Sequence, residues 1–220
     1  MALIVVSIPI GNPQDISARA LETLRNCNCI IGEERKEASK LLRSHGMSGK
    51  KLELLNEHST DSDVQALVDI CAHETVALIS DCGTPVFCDP GARLIALCRQ
   101  RKVPVTANPG ASSLMTLLAV ASQSLQEFVF RGFLPAENES RLKALRELQK
   151  EKRAFVLMDT PYRLKKLVAE MKQFFPERKF LLGVNMTYEN EQFLEGKMDE
   201  IEKGLTENKA EFVLLAYSIK

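Results

Sequence analysis

Short apolar runs rich in β-branched residues alternate with amphipathic segments along the first half of the chain. The apolar runs predict strands at Leu3–Ser7, Leu52–Leu55, Val76–Ser80 and Val103–Thr106. The amphipathic segments predict helices at Ile16–Arg25, Glu34–His45, Ser62–His73 and Ala92–Arg101. Strand alternating with helix is typical of a mainly parallel sheet that helices cover on both faces. The first half is therefore predicted to be an α/β domain.

Polar residues and glycines mark the ends of these predicted helices. Asp15 and Asp61 stand directly before two of them and are placed to cap their first turns. Gly91 opens the helix that follows it, and Gly46 is placed to end another, because glycine readily adopts the left-handed conformation that closes a helix.

The pattern changes near residue 122. Beyond it, the sequence predicts the strand Glu127–Phe133, the helix Ser140–Lys152, the strand Ala154–Met158, the helix Arg163–Phe174, two strands near 179–186 and 192–196, a helix near Met198–Leu205 and a last strand, Glu211–Ile219. No crossover helix separates the two strands in the middle of this series, which indicates a mixed sheet. We therefore expect an N-terminal α/β domain at 1–122 and a C-terminal α/β domain at 123–220, with a ligand cleft between them.

Composition limits the classes of partner. The 220 residues are 45% hydrophobic, and 29 Lys and Arg balance 29 Asp and Glu, so the formal net charge is zero. No global field would draw the chain to a polyanion, and a nucleic-acid site must be a local patch. The start of the chain lacks the basic and small-residue pattern of a signal peptide, and no apolar run is long enough to span a membrane.

The six cysteines favour the cytoplasm over an oxidising compartment. Four of them lie in apolar runs, where a buried free thiol is the ordinary state, so we expect no disulfides. Cys27 and Cys29 are too close together for a CxxC metal site, and no cluster of histidines lies near them. No structural metal is predicted.

Three segments rich in glycine, proline and small polar residues each follow a predicted strand. They are Ser7–Asp15, Ser80–Gly91 and Asn108–Ser113. The first lacks the GxGxxG of dinucleotide-binding proteins, and the second contains two proline turns that pre-set its backbone. Each segment alone could be an ordinary turn. Because the ends of parallel strands share one edge of a sheet, the three together predict a binding site for a small polar ligand.

The sequences of these segments resemble those of a known family. Ser7-Ile-Pro-Ile-Gly-Asn, the central loop Ile79–Gly91 and Pro109-Gly-Ala-Ser-Ser are similar to motifs of the ribosomal RNA small-subunit methyltransferase I family, which belongs to the tetrapyrrole (corrin/porphyrin) methylase superfamily. The resemblance continues through Phe130–Pro135 and Asp159–Arg163 and covers nearly the whole chain.

The resemblance implies a two-domain tetrapyrrole-methylase-like fold, S-adenosylmethionine as cofactor, a homodimer, and 2′-O-methylation of a 16S rRNA cytidine in the small ribosomal subunit. It also implies a C-terminal helical domain that this sequence, ending at Lys220, does not contain. The cofactor-binding residues implied by the resemblance are Pro9, Asp81, Gly83, Thr84, Pro85, Val86, Pro109, Gly110, Ala111, Ser112, Met158 and Met186.

A second group of residues is a candidate for activating the acceptor hydroxyl. Glu33, Glu34 and Lys36 are the catalytic candidates, at positions where the family reads approximately Glu-Asp-Thr-Arg, and Arg35 lies between them. A lysine cannot reproduce the bidentate fork of an arginine. The alternative is an ordinary solvated first turn of a helix. The segment Asn56–His58 is a further candidate, with an exposed loop as its alternative.

Two other functions stay open. A tetrapyrrole methylase usually carries Gly-Asp-Pro where this chain has Gly83-Thr84-Pro85, which counts against that function. A cofactor-binding protein without catalysis is suggested by the altered Glu33–Lys36 turn. The basic segment Arg141–Arg153 could contact phosphate, but its interleaved glutamates favour an ordinary solvated helix face.

Overall fold

The computed structural model describes residues 1–219, which form two compact units, Met1–Ser112 and a second unit that begins at Ser113. This division precedes the expected boundary at residue 122. The reason is a helix that the sequence pattern did not predict, α5 (Ser113–Ala119), which packs on strands of the second unit and buries Leu117 there.

The first unit is built on one parallel sheet. Its strands are β1 (Ala2–Val6), β2 (Cys29–Gly32), β3 (Lys51–Leu54), β4 (Thr75–Leu78) and β5 (Val105–Asn108), and its helices are α1 (Ala18–Asn26), α2 (Arg35–Ser44), α3 (Asp61–His73) and α4 (Ala92–Gln100). The strand order is β3-β2-β4-β1-β5, and every neighbouring pair is parallel. The predicted parallel α/β domain is confirmed.

The strand β2 was absent from the predicted elements, although it lies between β3 and β4. All four of its residues are buried, including Ile30 and Ile31. Its run is too short to show a period, which is common for a fully buried strand. The free thiols of Cys27 and Cys29 lie in this core, and burial raises the pKa of Cys29 to about 11.

Two predicted helix caps were wrong by one or two residues. Asp15 belongs to a 3₁₀ turn, and the Oγ of Ser17 instead accepts a hydrogen bond from the first turn of α1. Thr60, not Asp61, caps α3, and it exchanges hydrogen bonds with Asp63 in a capping box. The reciprocal pair satisfies the backbone N–H groups of both Thr60 and Asp63. Asp61 forms no such pair as the predicted cap, because the residue three positions after it is Val64.

The glycine signals were correct. Gly91 precedes α4 with φ of 142°, and Gly46 follows α2 with φ of 70°, both in the range that disfavours any residue with a side chain.

The second unit contains a mixed sheet, as predicted. Its strands are β6 (Phe128–Phe133), β7 (Ala154–Met158), β8 (Lys179–Val184), β9 (Gln192–Lys197) and β10 (Phe212–Ala216), and its further helices are α6 (Asn138–Leu148), α7 (Leu164–Phe174) and α8 (Met198–Gly204). The order is β6-β7-β10-β8-β9. Only β6 and β7 pair in parallel, and the other neighbours are antiparallel.

The basic helix α6 is not solvated along its whole length. Arg141 is only 1% exposed, and its Nη2 donates to Asp159 at 2.8 Å while its Nε donates to both carboxylate oxygens of Glu170. Asp159 also accepts a hydrogen bond from Arg163 at 3.1 Å. The interpretation of this segment as an ordinary solvated face was therefore wrong at Arg141, because its charge is matched by two acids from other elements.

No described helix is long and apolar enough to cross a membrane. Residues 1–219 also contain no group of three or more His, Cys, Asp or Glu side chains arranged to hold a metal ion.

Candidate active site

The three glycine- and proline-rich loops of the first unit meet at the carboxyl edge of its sheet. The hydroxyl of Thr84 donates to the carbonyl of Ala111 at 3.0 Å. Because its one proton is used there, the Ser7 hydroxyl donates to Thr84 Oγ1 across the 2.9 Å between them. Since Ser7 follows β1, Thr84 follows β4 and Ala111 follows β5, one side chain joins all three loops.

Backbone hydrogen bonds fix the same edge. Ile8 N–H donates to the carbonyl of Gly83 at 2.8 Å, and Gly83 N–H donates to the carbonyl of Pro9 at 3.3 Å. Ser7 N–H donates to the carbonyl of Asn108, also at 3.3 Å. The expectation that these loops share one edge is met by the geometry.

Two glycines allow this close approach. A Cβ on Gly110 would lie 2.8 Å from the Cβ of Ser7, closer than two carbon atoms can pack. Gly83 has φ of +71°, and a Cβ there would lie 3.1 Å from Ile10. Larger residues at either position would separate the loops.

The central loop also contains a strained residue. Val86 has φ of 79°, which is costly for a β-branched side chain. A Cβ on Gly91 would lie 2.8 Å from Val86 Cγ2, so the valine occupies the space that this glycine leaves. The shape of the loop is thus determined by packing as well as by its prolines.

Carboxylates gather at this edge. Glu33 follows β2 and is half-buried, and its pKa is raised to about 7, mainly by burial and then by the charges of Asp81 and Asp89. Burial also raises the pKa values of Asp81 and Asp89. Asp81 accepts a hydrogen bond from the backbone N–H of Glu34 at 3.1 Å, which ties the start of α2 to the central loop. The edge is electrostatically suited to a cationic ligand.

The other catalytic candidates are more exposed. Glu34 is the N-cap of α2 without a side-chain capping bond, and Lys36 is exposed in the first turn. Arg35 donates to the carbonyl of Leu52 at 3.3 Å. These three therefore match the solvated-turn alternative, whereas Glu33 does not.

The segment Asn56–His58 forms a local turn. The side-chain oxygen of Asn56 accepts the backbone N–H of His58 at 3.0 Å, and His58 itself is exposed beside Glu57. This arrangement matches the exposed-loop alternative.

The two candidate methionines lie in the second unit. Met158 ends β7 and is half-buried, while Met186 is buried in the turn after β8. A Cβ on Gly183 would lie 2.8 Å from the Sδ of Met186, so this glycine leaves room for the thioether. Met186 is held between two residues with positive φ, Asn185 at 46° and Thr187 at 71°.

Two residues of this edge were not among the candidates. Ser7 is buried and completes the link through Thr84, and Asp89 adds to the carboxylate group around Glu33. Both stand in the segments that the sequence singled out, but a glycine and proline pattern identifies a loop and not the side chain that connects it to another.

Known proteins resemble the chain in sequence and in fold. Residues 2–202 match the family described as Tetrapyrrole (Corrin/Porphyrin) Methylases. The chain is 34% identical to "Ribosomal RNA small subunit methyltransferase I" of Neisseria meningitidis, with 98% of this chain and 75% of that protein aligned. It is 36% identical to the protein of that name from Rickettsia prowazekii, with 97% and 77% aligned.

A third relative with this name, from Borrelia garinii, is 34% identical, and the alignment spans 97% of both chains. The family thus contains members that extend well beyond the aligned region and a member that barely does.

Solved structures share the fold at low sequence identity. Diphthine synthase superposes with a TM-score of 0.71 at 13% identity, covering 99% of this chain and 89% of that one. The methyltransferase CobJ superposes with a TM-score of 0.67 at 14% identity, covering 99% and 94%. The matched sequence family, the near full-length relatives and the shared fold agree. The chain belongs to the tetrapyrrole (corrin/porphyrin) methylases, and within them to the ribosomal RNA small subunit methyltransferase I family.

Proposed function

We propose that this protein is an S-adenosylmethionine-dependent methyltransferase that methylates the ribose 2′-hydroxyl of a cytidine in small-subunit rRNA. The observation that carries the proposal is the similarity to ribosomal RNA small subunit methyltransferase I proteins over 97–98% of the chain. That similarity spans all the loops that meet at the edge described above.

The residues of this edge fit the proposed cofactor. S-adenosylmethionine carries a sulfonium, an ammonium and one carboxylate, so its net charge is positive. Burial raises the pKa values of Glu33, Asp81 and Asp89, and neighbouring carboxylates add to the effect, so a cationic ligand would stabilise their charged forms. We assign its binding to Pro9, Asp81, Gly83, Thr84, Pro85, Val86, Pro109, Gly110, Ala111 and Ser112, with Met158 and Met186 from the second unit.

In the proposed mechanism, Glu33 removes the proton that the acceptor loses. The bound cofactor supplies an electrophilic methyl group, and a ribose hydroxyl becomes a competent nucleophile only as its proton leaves. A carboxylate with a pKa of about 7 is matched to that task near neutral pH, where it is still partly ionised yet more basic than an ordinary glutamate. The three joined loops hold their geometry before binding, which favours the in-line arrangement that methyl transfer needs.

Methyl transfer to three acceptors in parallel tests the proposal. Labelled S-adenosylmethionine is offered with small ribosomal subunits from a strain lacking this protein, with naked rRNA, and with a tetrapyrrole precursor. We expect label in rRNA, at a cytidine whose following phosphodiester resists alkali because the 2′-oxygen is methylated. Label in the tetrapyrrole alone would reject the rRNA acceptor, and bound cofactor without transfer to any acceptor would reject catalysis.

We also propose a homodimer that resides in the cytoplasm. The free cysteines of the chain are compatible with a reducing compartment, and the homodimer rests on the family resemblance. Light scattering on the purified chain of 24.6 kDa distinguishes a monomer from a dimer.

A further inference from the structure

One edge of the second sheet carries two exposed aromatic side chains. Phe133, at the end of β6, is 46% exposed, and Tyr162, in the turn after β7, is 77% exposed. Phe133 is paired with Met158 across the parallel strands, so both aromatic residues lie at the edge where these strands end. Exposed aromatic side chains that share one end of a sheet can form an apolar patch of the kind that marks an interaction site.

A lysine lies over the tyrosine ring. The Nζ of Lys209 is 3.7 Å from the ring centroid of Tyr162, a cation–π geometry. Lys209 precedes β10, which runs antiparallel to β7 with Val213 opposite Met158, so the topology brings it to the same edge. Contact with the Lys209 ammonium lowers the pKa of Tyr162.

Two further cations follow Tyr162 closely in the chain. Arg163 is anchored by Asp159 and keeps 32% of its side chain exposed. Lys166 donates to the side-chain oxygen of Asn138, the first residue of α6, at 3.0 Å. We call Phe133, Tyr162, Arg163, Lys166 and Lys209 the Tyr162 surface.

The acids near this surface are largely occupied within the protein. Asp159 and Glu170 pair with the buried Arg141, and Asp159 also pairs with Arg163. The carboxylate of Glu137 accepts the backbone N–H groups of Glu139 and Ser140 at 2.8 and 2.7 Å.

Glu211 also lies close to Lys209, but burial raises its pKa and so disfavours its charged form. The Tyr162 surface therefore combines aromatic area with positive charge.

We propose that the Tyr162 surface binds an unpaired nucleotide of the rRNA substrate, an inference that rests on the proposed function. One base stacks on the face of Tyr162 opposite Lys209, and phosphates pair with Lys209, Arg163 and Lys166. Sequence-tolerant contacts to single-stranded RNA combine these two elements, aromatic faces for bases and cations for the backbone. Tyr162 follows shortly after Met158, a residue that the proposed function assigns to the cofactor.

Binding and catalysis of matched variants test this inference. The probe is a fluorescein-labelled single-stranded oligoribonucleotide of about twelve nucleotides, a length suited to a site of this class. Its affinity is measured by anisotropy for the wild-type protein, Tyr162→Ala and Tyr162→Phe. Phe133→Ala is paired with Phe128→Ala, which removes a similarly exposed ring from the opposite end of the same strand. Lys209→Ala is paired with Lys203→Ala on α8.

We expect Tyr162→Ala to weaken binding of the probe by roughly 5- to 150-fold, the range for loss of one base–aromatic stack. Tyr162→Phe should retain most of the affinity because the ring remains. Phe133→Ala and Lys209→Ala should weaken binding several-fold, and their two controls should not. The Kd of S-adenosylmethionine, measured by calorimetry, should be unchanged in all variants, and the KM for small subunits should rise in Tyr162→Ala.

The outcomes separate this inference from the proposed function. Wild-type methylation of rRNA with equal probe affinity in Tyr162→Ala would overturn the inference alone. Weaker binding of Tyr162→Ala to small subunits but not to the probe would also overturn it, since the ring would then contact a ribosomal protein. Failure of the wild-type protein to methylate rRNA, with cofactor still bound, would reject the proposed function.

Discussion

At the scale of single residues, Glu33 differs from the other catalytic candidates in its burial and its pKa. It is half-buried and its pKa is about 7, whereas Glu34 is exposed on the adjacent helix end. We expect kcat/KM of the wild-type protein to rise with pH and level off above about pH 7, because only the ionised form can accept the hydroxyl proton. Glu33→Gln should lose roughly 10²- to 10⁴-fold in kcat, the usual contribution of a general base. Glu34→Gln should keep both the rate and the pH profile, and the reverse result would assign the base to Glu34.

The raised pKa of Glu33 also affects stability. Its contribution to stability falls as pH rises, whereas the activity is expected to increase. The pKa of Glu33 is raised from 4.5 to about 7 on folding, so between these values the folded protein binds more protons than the unfolded chain. The stability that this shift provides is present below about pH 4.5 and is lost as pH rises through about 7. Glu33→Gln has no such loss. Its melting temperature should therefore exceed that of the wild-type protein at about pH 8 and approach or fall below it at about pH 5. A variant equally destabilised at both values would show that Glu33 is not electrostatically strained.

At the scale of elements, Thr84 connects the loops after three strands. Thr84→Val keeps the shape of the side chain but removes the hydrogen bonds to Ser7 and Ala111. We expect a loss of about 1–2 kcal/mol in the free energy of unfolding, since each such bond is worth about 1 kcal/mol. The Kd of S-adenosylmethionine should rise several-fold because the loops are no longer joined. Thr84→Ser retains the hydroxyl and should restore both values, and unchanged cofactor affinity in Thr84→Val would separate the loops from the cofactor.

Elements with a clear apolar period were predictable from the sequence. The strand Ala154–Met158 was predicted with the bounds it has, and the mixed order of the second sheet followed from the absence of a crossover helix. The four-residue β2 lacked a period, although its burial makes it central. The cap of α1 was ambiguous because Asn12, Asp15 and Ser17 can all cap, and the chain uses Asn12 for a 3₁₀ turn and Ser17 for the helix.

The site was predictable as a set of loops but not as a set of interactions. Glycines and prolines after strands identified the loops, since few backbones other than turns need them. The bond between Ser7 and Thr84 joins residues 77 positions apart, and the raised pKa of Glu33 depends on Asp81 and Asp89 from another loop. Such tertiary contacts leave no local pattern. The same reason hid Arg141, whose acidic partners come after β7 and from α7.

At the scale of the whole molecule, the charge balance limits how RNA is held. With 29 basic and 29 acidic residues, affinity for a polyanion has to come from a few local cations. Three cations of the Tyr162 surface are placed to meet phosphates, namely Arg163, Lys166 and Lys209. Each phosphate contact with single-stranded RNA contributes about −0.7 to the slope of log K against log salt concentration.

The measured slope for the single-stranded probe should therefore be near −2, shallow for an RNA-binding protein. Lys209→Ala should make it shallower by about 0.7, and Tyr162→Ala should lower the affinity at every salt concentration without changing the slope, because stacking releases no counterions. A much steeper wild-type slope would require phosphate contacts outside this surface. The exposed cations of α6, Lys143 and Arg146, would then be the next to replace, and their alanine variants would decide whether that helix face binds RNA or is only solvated.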